Sequence, residues 1–224
     1  MIANLSVTEE NYIKAIYHLQ HADGNVSTNE VADMLHTKAA SVTDMLKKLK
    51  AKKIVNYEKY KGFTLSAVGE KIALTIVRKH RLWEYFLVEK LQFGWDEVHE
   101  VAEELEHISS RKLVEKLDAF LQYPKFDPHG DPIPDVNGKM VIQPQINLTD
   151  LPLNVNAEVT AVGSQSTELL ELLRHKKIAI GTKINLKKKF LFDNSVEIKI
   201  LNHAAFTISQ QLAQALFVKK IPNA

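Results

Sequence analysis

The sequence predicts a mainly α protein with a small β domain at its C-terminal end. Three observations carry that reading. The first 65 residues hold two capping-box starts, a lysine-rich amphipathic stretch and then an alternating segment. Residues 66–121 hold three helical patterns with strong apolar stripes. After a proline-rich loop, the chain from about Leu153 turns to short alternating runs.

In the first region Ser6 and Glu9 stand in capping-box spacing, and Tyr12, Ile13, Ile16, Tyr17 and Leu19 follow at helical spacing. Ser27 and Glu30 repeat the signal, ahead of Val31, Met34 and Leu35. "HTKAA" then separates this short helix from a third, with Thr37 as its expected N-cap and Val42, Met45, Leu46 and Leu49 as its buried side. "IVNYEKYKGFTLS" has hairpin character with a turn at Lys61-Gly62. Three helices and a hairpin, with the second and third helices closely spaced, is the order of a winged helix-turn-helix. We assign it to 1–65.

A helical region whose apolar stripes suit dimerisation is expected over 66–140. One helix runs from Ser66 to about Leu91, a second carries Val98, Val101, Leu105 and Ile108, and a third carries Leu113, Leu117, Phe120 and Leu121. Trp83 and Phe86 are candidates for a dimer interface or for the core. "YPKFDPHGDPIPDVNGKMVIQPQ" holds five of the seven prolines and reads as a loop. Over 153–224 the segments "NAEVTAV", "TKINLKKKFLFD", "SVEIKILN", "AAFTISQ" and "LFVKK", with a helix at "STELLELLRH", read as a small SH3-like barrel.

Composition narrows the chemistry. The chain has 224 residues, 45% hydrophobic and 25% charged, as in ordinary globular proteins. No apolar run approaches the ~20 residues of a membrane helix, and "MIANLSVTEE" lacks the pattern of a signal peptide, so a cytoplasmic location with no membrane partner is expected. There are no cysteines, which removes disulfides, thiolate metal ligands and thiol catalysis together.

The net charge of +2 is unevenly spread. Residues 36–61 hold eight lysines against Asp44 and Glu58, whereas 82–118 hold ten acids against four bases. A lysine-rich helix is by itself a solvated face, but on the third helix of a winged helix-turn-helix it becomes a DNA-binding surface. The positions expected to face double-stranded DNA are Thr37, Lys38, Ala39, Ser41, Thr43, Lys47, Lys48, Lys59 and Lys61. Small polar groups would approach base edges, and lysines would meet phosphates.

In the acidic block, "AEELEHISS" sets Glu103, Glu106 and His107 at i, i+3 and i+4, on one face if the segment is helical. Such a face is either wet surface or a set of metal ligands. His99 lies four residues before Glu103, and "RKHRLWEYF" places His80 and Glu84 at i and i+4. Imidazole with carboxylate and no sulfur suits manganese, iron, cobalt or zinc. The enzymatic alternative is a metal-dependent hydrolase using His99, Glu100 and Glu103, since "HEVAE" is a zincin motif with its second histidine replaced by Glu103. A single E-x-x-H and the absence of a phosphate loop or G-x-S-x-G argue for a binding protein.

The motifs "TEENYIKAIYHL", "SVTDMLKKLKAKKIVNYEKYKGFTLSAVGEKIA", "RKHRLWEYFL", "DEVHEVAEELEH" and "GDPIP" occur in an order that resembles the diphtheria-toxin-repressor and manganese-transport-regulator family of metal-dependent transcriptional repressors. The C-terminal part looks like the SH3-like, FeoA-type domain of some members. The resemblance implies a homodimer that binds a palindromic operator when metal is bound and controls metal-uptake genes. It implies a primary metal site at Asn11, Glu103, Glu106 and His107, and an ancillary site at His80, Glu84 and His99. Iron-using members tend to have Cys where Glu103 stands, so the resemblance points to Mn2+, with Fe2+ as the alternative. Two positions depart from the manganese branch: Asn11 replaces a carboxylate, and Lys14 stands where short members have a metal-bridging Glu. The C-terminal domain often adds a ligand to the ancillary site, and Ser164, Gln165 and Glu168 are nearby candidates. An ion joining Asn11 to the acidic helix would set the spacing of two recognition helices, which enter successive major grooves ~34–36 Å apart.

Overall fold

A computed structural model describes residues 5–24, 26–58, 62–200 and 203–222, with the side chains of 22 and 23 not described. Lys59 and Lys61 therefore lie outside the described residues. The chain divides into two compact units. The first contains the residues up to His80 together with Glu103–Glu115 and Pro134–Lys139; the second contains Arg81–Ala102, Lys116–Ile133 and Met140 onward.

The first unit opens with α1 (Val7–Asp23), capped by Ser6 in a complete capping box with Glu9, and α2 (Thr28–Met34), capped in the same way by Ser27 and Glu30. Helix α3 (Ala39–Ala51) follows after a short turn. Its N-cap is Lys38 and not Thr37, and no side chain caps it. Thr37 instead donates its backbone N–H to the Ala32 carbonyl, which closes the turn between α2 and α3. Strands β1 (Val55–Glu58) and β2 (Gly62–Leu65) pair antiparallel as the wing. Ile13, Ile16, Val31, Val42, Leu46, Leu49 and Ile54 form one core with the start of α4 (Ala67–Leu91). Each is almost fully buried, which is worth about 1.5–3 kcal/mol per side chain. Met34, expected in the apolar stripe of α2, is exposed.

Helix α5 (Val98–Leu105) is shorter than its apolar pattern predicts. Glu103 lies in its last turn, whereas Glu106 and His107 lie in the turn that follows. Helix α6 (Arg111–Phe120) buries Leu117 and leaves Leu113 and Phe120 exposed.

In the second unit the C-terminal segments form a six-stranded antiparallel sheet among the described residues. Its strands are β3 (Ile146–Asn147), β4 (Asn156–Val162), β5 (Lys183–Lys189), β6 (Val196–Ile200), β7 (Phe206–Ile208) and β8 (Leu216–Lys220), in the order β3-β8-β4-β5-β6-β7. Helices α7 (Thr167–His175) and α8 (Gln210–Gln214) lie between strands in the chain, and Leu170, Leu173, Leu212 and Ala213 join the core of the sheet. Two elements escaped the sequence pattern: β3 is two residues long, and α8 has a single turn.

The loop 124–133 is tied to this sheet at its centre. The Val162 N–H donates to the His129 carbonyl, and a Cβ added to Gly130 would stand 2.0 Å from the Thr160 carbonyl oxygen. Gly130 also has φ +90°, where a side chain is strained. Gly130→Ala should therefore lower the melting temperature by several degrees and the stability by about 2 kcal/mol or more, measured by calorimetry. An unchanged melting curve would show that the loop is not fixed at this point.

Candidate metal centre

The first candidate centre lies within the first unit and is built from α1, the middle of α4 and the turn after α5. Glu106 is fully buried. Its Oε2 accepts from Lys14 Nζ at 2.7 Å and stands 2.7 Å from His80 Nδ1. Its Oε1 is buried without a hydrogen bond, 3.8 Å from His107 Nε2. His107 Nδ1 is held by Glu10 Oε2 at 2.7 Å. With one ring nitrogen fixed by a carboxylate, the other is directed toward Glu106, which is how a metal-ligating histidine is normally oriented. Asn11 Oδ1 is likewise buried without a hydrogen bond. Glu103 Oε1 accepts from Lys14 Nζ at 2.5 Å.

Burial pushes the Glu106 carboxyl up, but the His80 hydrogen bond and the Lys14 ammonium outweigh it and hold the group below the ordinary carboxylate range. Burial lowers Lys79 below its usual value, although the charges of Glu10 and Glu106 oppose the shift. The site is thus an ionised, largely dry carboxylate with one unsatisfied oxygen, and Asn11 on α1 supplies a second unsatisfied acceptor. A hard divalent ion fits that donor set, because the open atoms are two oxygens and an imidazole nitrogen.

A second cluster lies in the second unit, and part of it was not expected. Glu84, Asp127 and His129 are buried, and one ligand atom of each lies within 4.8 Å of the others. His129 Nε2 donates to the Trp95 carbonyl at 2.8 Å, which leaves Nδ1 as the lone-pair nitrogen. That Nδ1 has no hydrogen bond and stands 3.8 Å from Glu84 Oε2. Asp127 Oδ1 accepts from the backbone N–H groups of His129 and Asp131, and Oδ2 faces Arg81 Nε at 3.5 Å. Burial, then the charges of Glu84 and Asp131, push the Asp127 carboxyl up to about 7. For His129 burial disfavours the charged ring, but Glu84 and Asp127 outweigh it and raise its pKa.

The family resemblance implies His80, Glu84 and His99 as one ancillary set. The structure sets His80 against Glu106, while Glu84 Oε1 is 3.3 Å from His99 Nδ1 and Glu84 Oε2 faces His129. Gln165 donates to Asp131 at 3.0 Å, Ser164 Oγ accepts from Ser166 N–H, and Glu168 lies in the first turn of α7. Glu10, Asp127 and His129 were missed. Glu10 is the acidic neighbour of Asn11 in a first helical turn, where acids are common, and the "DPHGD" run has the composition of a loop.

On α3 the expected DNA-facing residues Thr37, Lys38, Ala39, Ser41, Thr43, Lys47 and Lys48 are all exposed. Thr43 donates to the Ala39 carbonyl, and Lys47 reaches Asp44 at 3.1 Å, both within the helix.

Three family models cover most of the chain: the N-terminal DNA-binding domain of the iron-dependent repressor over 4–63, its metal-binding and dimerisation domain over 66–135, and a FeoA domain over 146–220. A solved manganese-dependent transcriptional repressor in complex with manganese superposes with a TM-score of 0.84 at 30% identity, covering 95% of this chain and 99% of that one. The chain belongs to the diphtheria-toxin-repressor and manganese-transport-regulator family. A second solved relative, the manganese regulator SloR, is 31% identical with a TM-score of 0.75, covering 95% of this chain and 98% of that one. The iron-dependent repressor IdeR of Mycobacterium tuberculosis is 25% identical over 227 residues, 96% of this chain and 97% of IdeR. The protein is a metal-dependent transcriptional repressor, as the manganese-dependent repressor and IdeR are named. Among the described residues no helix is long and apolar enough to cross a membrane.

The repressor's second cluster makes a direct prediction. Asp127→Asn keeps an acceptor for the two backbone N–H groups and removes a buried charge. It should raise the melting temperature of the metal-free protein by about 2–4 °C, the shift that ~1 kcal/mol gives in a chain of this size. It should also reduce the further rise that added manganese causes. A lower metal-free melting temperature would show that Asp127 is stabilised by Arg81 as an ion pair and not held in reserve.

Proposed function

We propose that the repressor answers to manganese, and that it binds a palindromic operator as a homodimer to control metal-uptake genes. The observation that carries this reading is the unsatisfied buried Glu106 Oε1, 3.8 Å from a His107 ring oriented by Glu10, with Asn11 Oδ1 of α1 as a second unsatisfied buried acceptor. Asn11, Glu106 and His107 are the groups we assign to the primary ion, with Glu103 beside them. Glu84, Asp127 and His129 are assigned to a second ion, with His99 at its edge. A divalent ion supplies the positive charge that these buried acceptors lack. Oxygen and imidazole donors with no sulfur favour manganese over softer ions, and they leave ferrous iron as the nearest competitor.

The DNA side of the proposal rests on the exposed row of α3. Thr37, Ala39, Ser41 and Thr43 are small enough to let the helix approach base edges, while Lys38, Lys47 and Lys48 suit phosphates. The dimer is assigned to residues 66–121, where exposed Leu91, Phe93 and Phe120 offer apolar surface, and binding to a palindromic site needs two-fold symmetry. Phe120 packs edge-on against Phe86, with ring centroids 6.3 Å apart. Trp83 is buried and belongs to the core rather than to that surface.

The test is a manganese titration followed by DNA-binding anisotropy. Glu106→Gln keeps the shape of the side chain and removes its charge. It should shift the manganese midpoint upward on the order of tenfold or more, while the fold is retained. An unchanged midpoint would remove Glu106 from the switch.

A further inference from the structure

Lys14 stands one turn after Glu10 and Asn11 on α1, and its ammonium reaches two carboxylates that the sequence assigned to the ion. It lies 2.5 Å from Glu103 Oε1 and 2.7 Å from Glu106 Oε2. The Lys14–Glu106 pair is not wet surface, with side chains 12% and 0% exposed, whereas the Glu103 side chain is 37% exposed. The geometry divides the Glu106 carboxylate between two tasks. Oε2 meets Lys14 and His80, whereas Oε1 is left open toward His107.

We propose that Lys14 is a resident cation of the metal centre. It holds Glu103 and one oxygen of Glu106, restricts the ion to Glu106 Oε1, His107 Nε2 and Asn11 Oδ1, and so sets the manganese concentration at which the repressor switches. The proposal rests on the reading of this face as a metal centre. Its physical basis is charge. Glu103 and Glu106 with Lys14 amount to one net negative charge, where the carboxylates alone would amount to two. The ammonium also repels a dication bound a few ångströms away, and it fixes Glu103 so that its carboxylate is not free to turn to the ion. The same pairing keeps the buried Glu106 compensated in the metal-free protein, where an unmatched charge would be strongly destabilising. Lys14 is therefore a positioning residue that stabilises the metal-free state and weakens the metal-bound one.

Lys14→Met retains length and apolar stem without the charge, and Lys14→Gln is a polar control if the methionine variant folds poorly. Free manganese is followed by the electron paramagnetic resonance signal of the hydrated ion as it is added to full-length protein, in a His129→Ala background that disables the second cluster. Removing the ammonium should tighten binding on the order of tenfold, which repulsion between these charges supplies even at water-like screening. It should also lower the melting temperature of the metal-free protein and enlarge the rise on adding manganese. Equal or weaker binding in both variants, with binding still lost in Glu106→Gln, would overturn the role of Lys14 and leave the metal centre intact. Binding undisturbed by Glu106→Gln would remove the metal centre itself, and the role of Lys14 with it.

Discussion

A carboxylate that stays ionised with no exposed surface has to be matched by positive charge, and Glu106 is where this chain meets that demand. Taking such a group out of water costs several kcal/mol unless neighbours compensate it. Here the compensation comes from distant parts of the sequence: Lys14 on α1 and His80 on α4. The turn that ends α5 at Leu105 brings Glu106 inward, and the adjacent His107 is steadied by Glu10. The demand is met only on one side of the carboxylate. The open Oε1 is the feature on which the proposed cation site rests, beside the structural joint.

Helix α1 links that joint to the DNA-facing surface. One face of α1 buries Tyr12, Ile13 and Ile16 in the core that also holds Val42, Leu46 and Leu49 of α3. Its first turn carries two adjacent acids with different partners. Glu9 reaches Lys52 at 2.7 Å and Lys48 at 3.5 Å at the end of α3, whereas Glu10 reaches His107. Burial opposes ionisation of Glu9, but Lys52, the Ser6 N–H and Lys48 prevail and hold its carboxyl below the usual range. A change in what His107 binds is therefore one residue away from a contact on the recognition helix. On the proposed reading, ion and DNA would influence each other through this common element, and thermodynamic linkage would make that influence reciprocal.

Much of this was legible in the sequence because the signals were local. Both capping boxes are present, at Ser6/Glu9 and Ser27/Glu30, and five alternating runs became β4 to β8. Helical spacing grouped Glu103, Glu106 and His107, although only Glu103 is in the helix. What the sequence concealed was long-range. The pairing of Lys14 with Glu103 and Glu106 spans 89 and 92 residues, and nothing in local spacing announces it. Asp127 and His129 sit in a proline-rich loop whose composition reads as surface, yet Gly130 lets that loop approach the Thr160 carbonyl and buries both side chains. The expected Thr37 cap is not formed: the N-cap falls one residue later at Lys38, and the Thr37 N–H closes the turn from α2.

The most direct measurement is anomalous diffraction at the manganese edge from crystals of the full-length repressor grown with manganese. The account predicts a peak in contact with Glu106 and His107, with Asn11 on the same ion and Lys14 still between Glu103 and Glu106. A protein in which manganese appears only at Glu84, Asp127 and His129, with Glu106 and His107 bare, would contradict it.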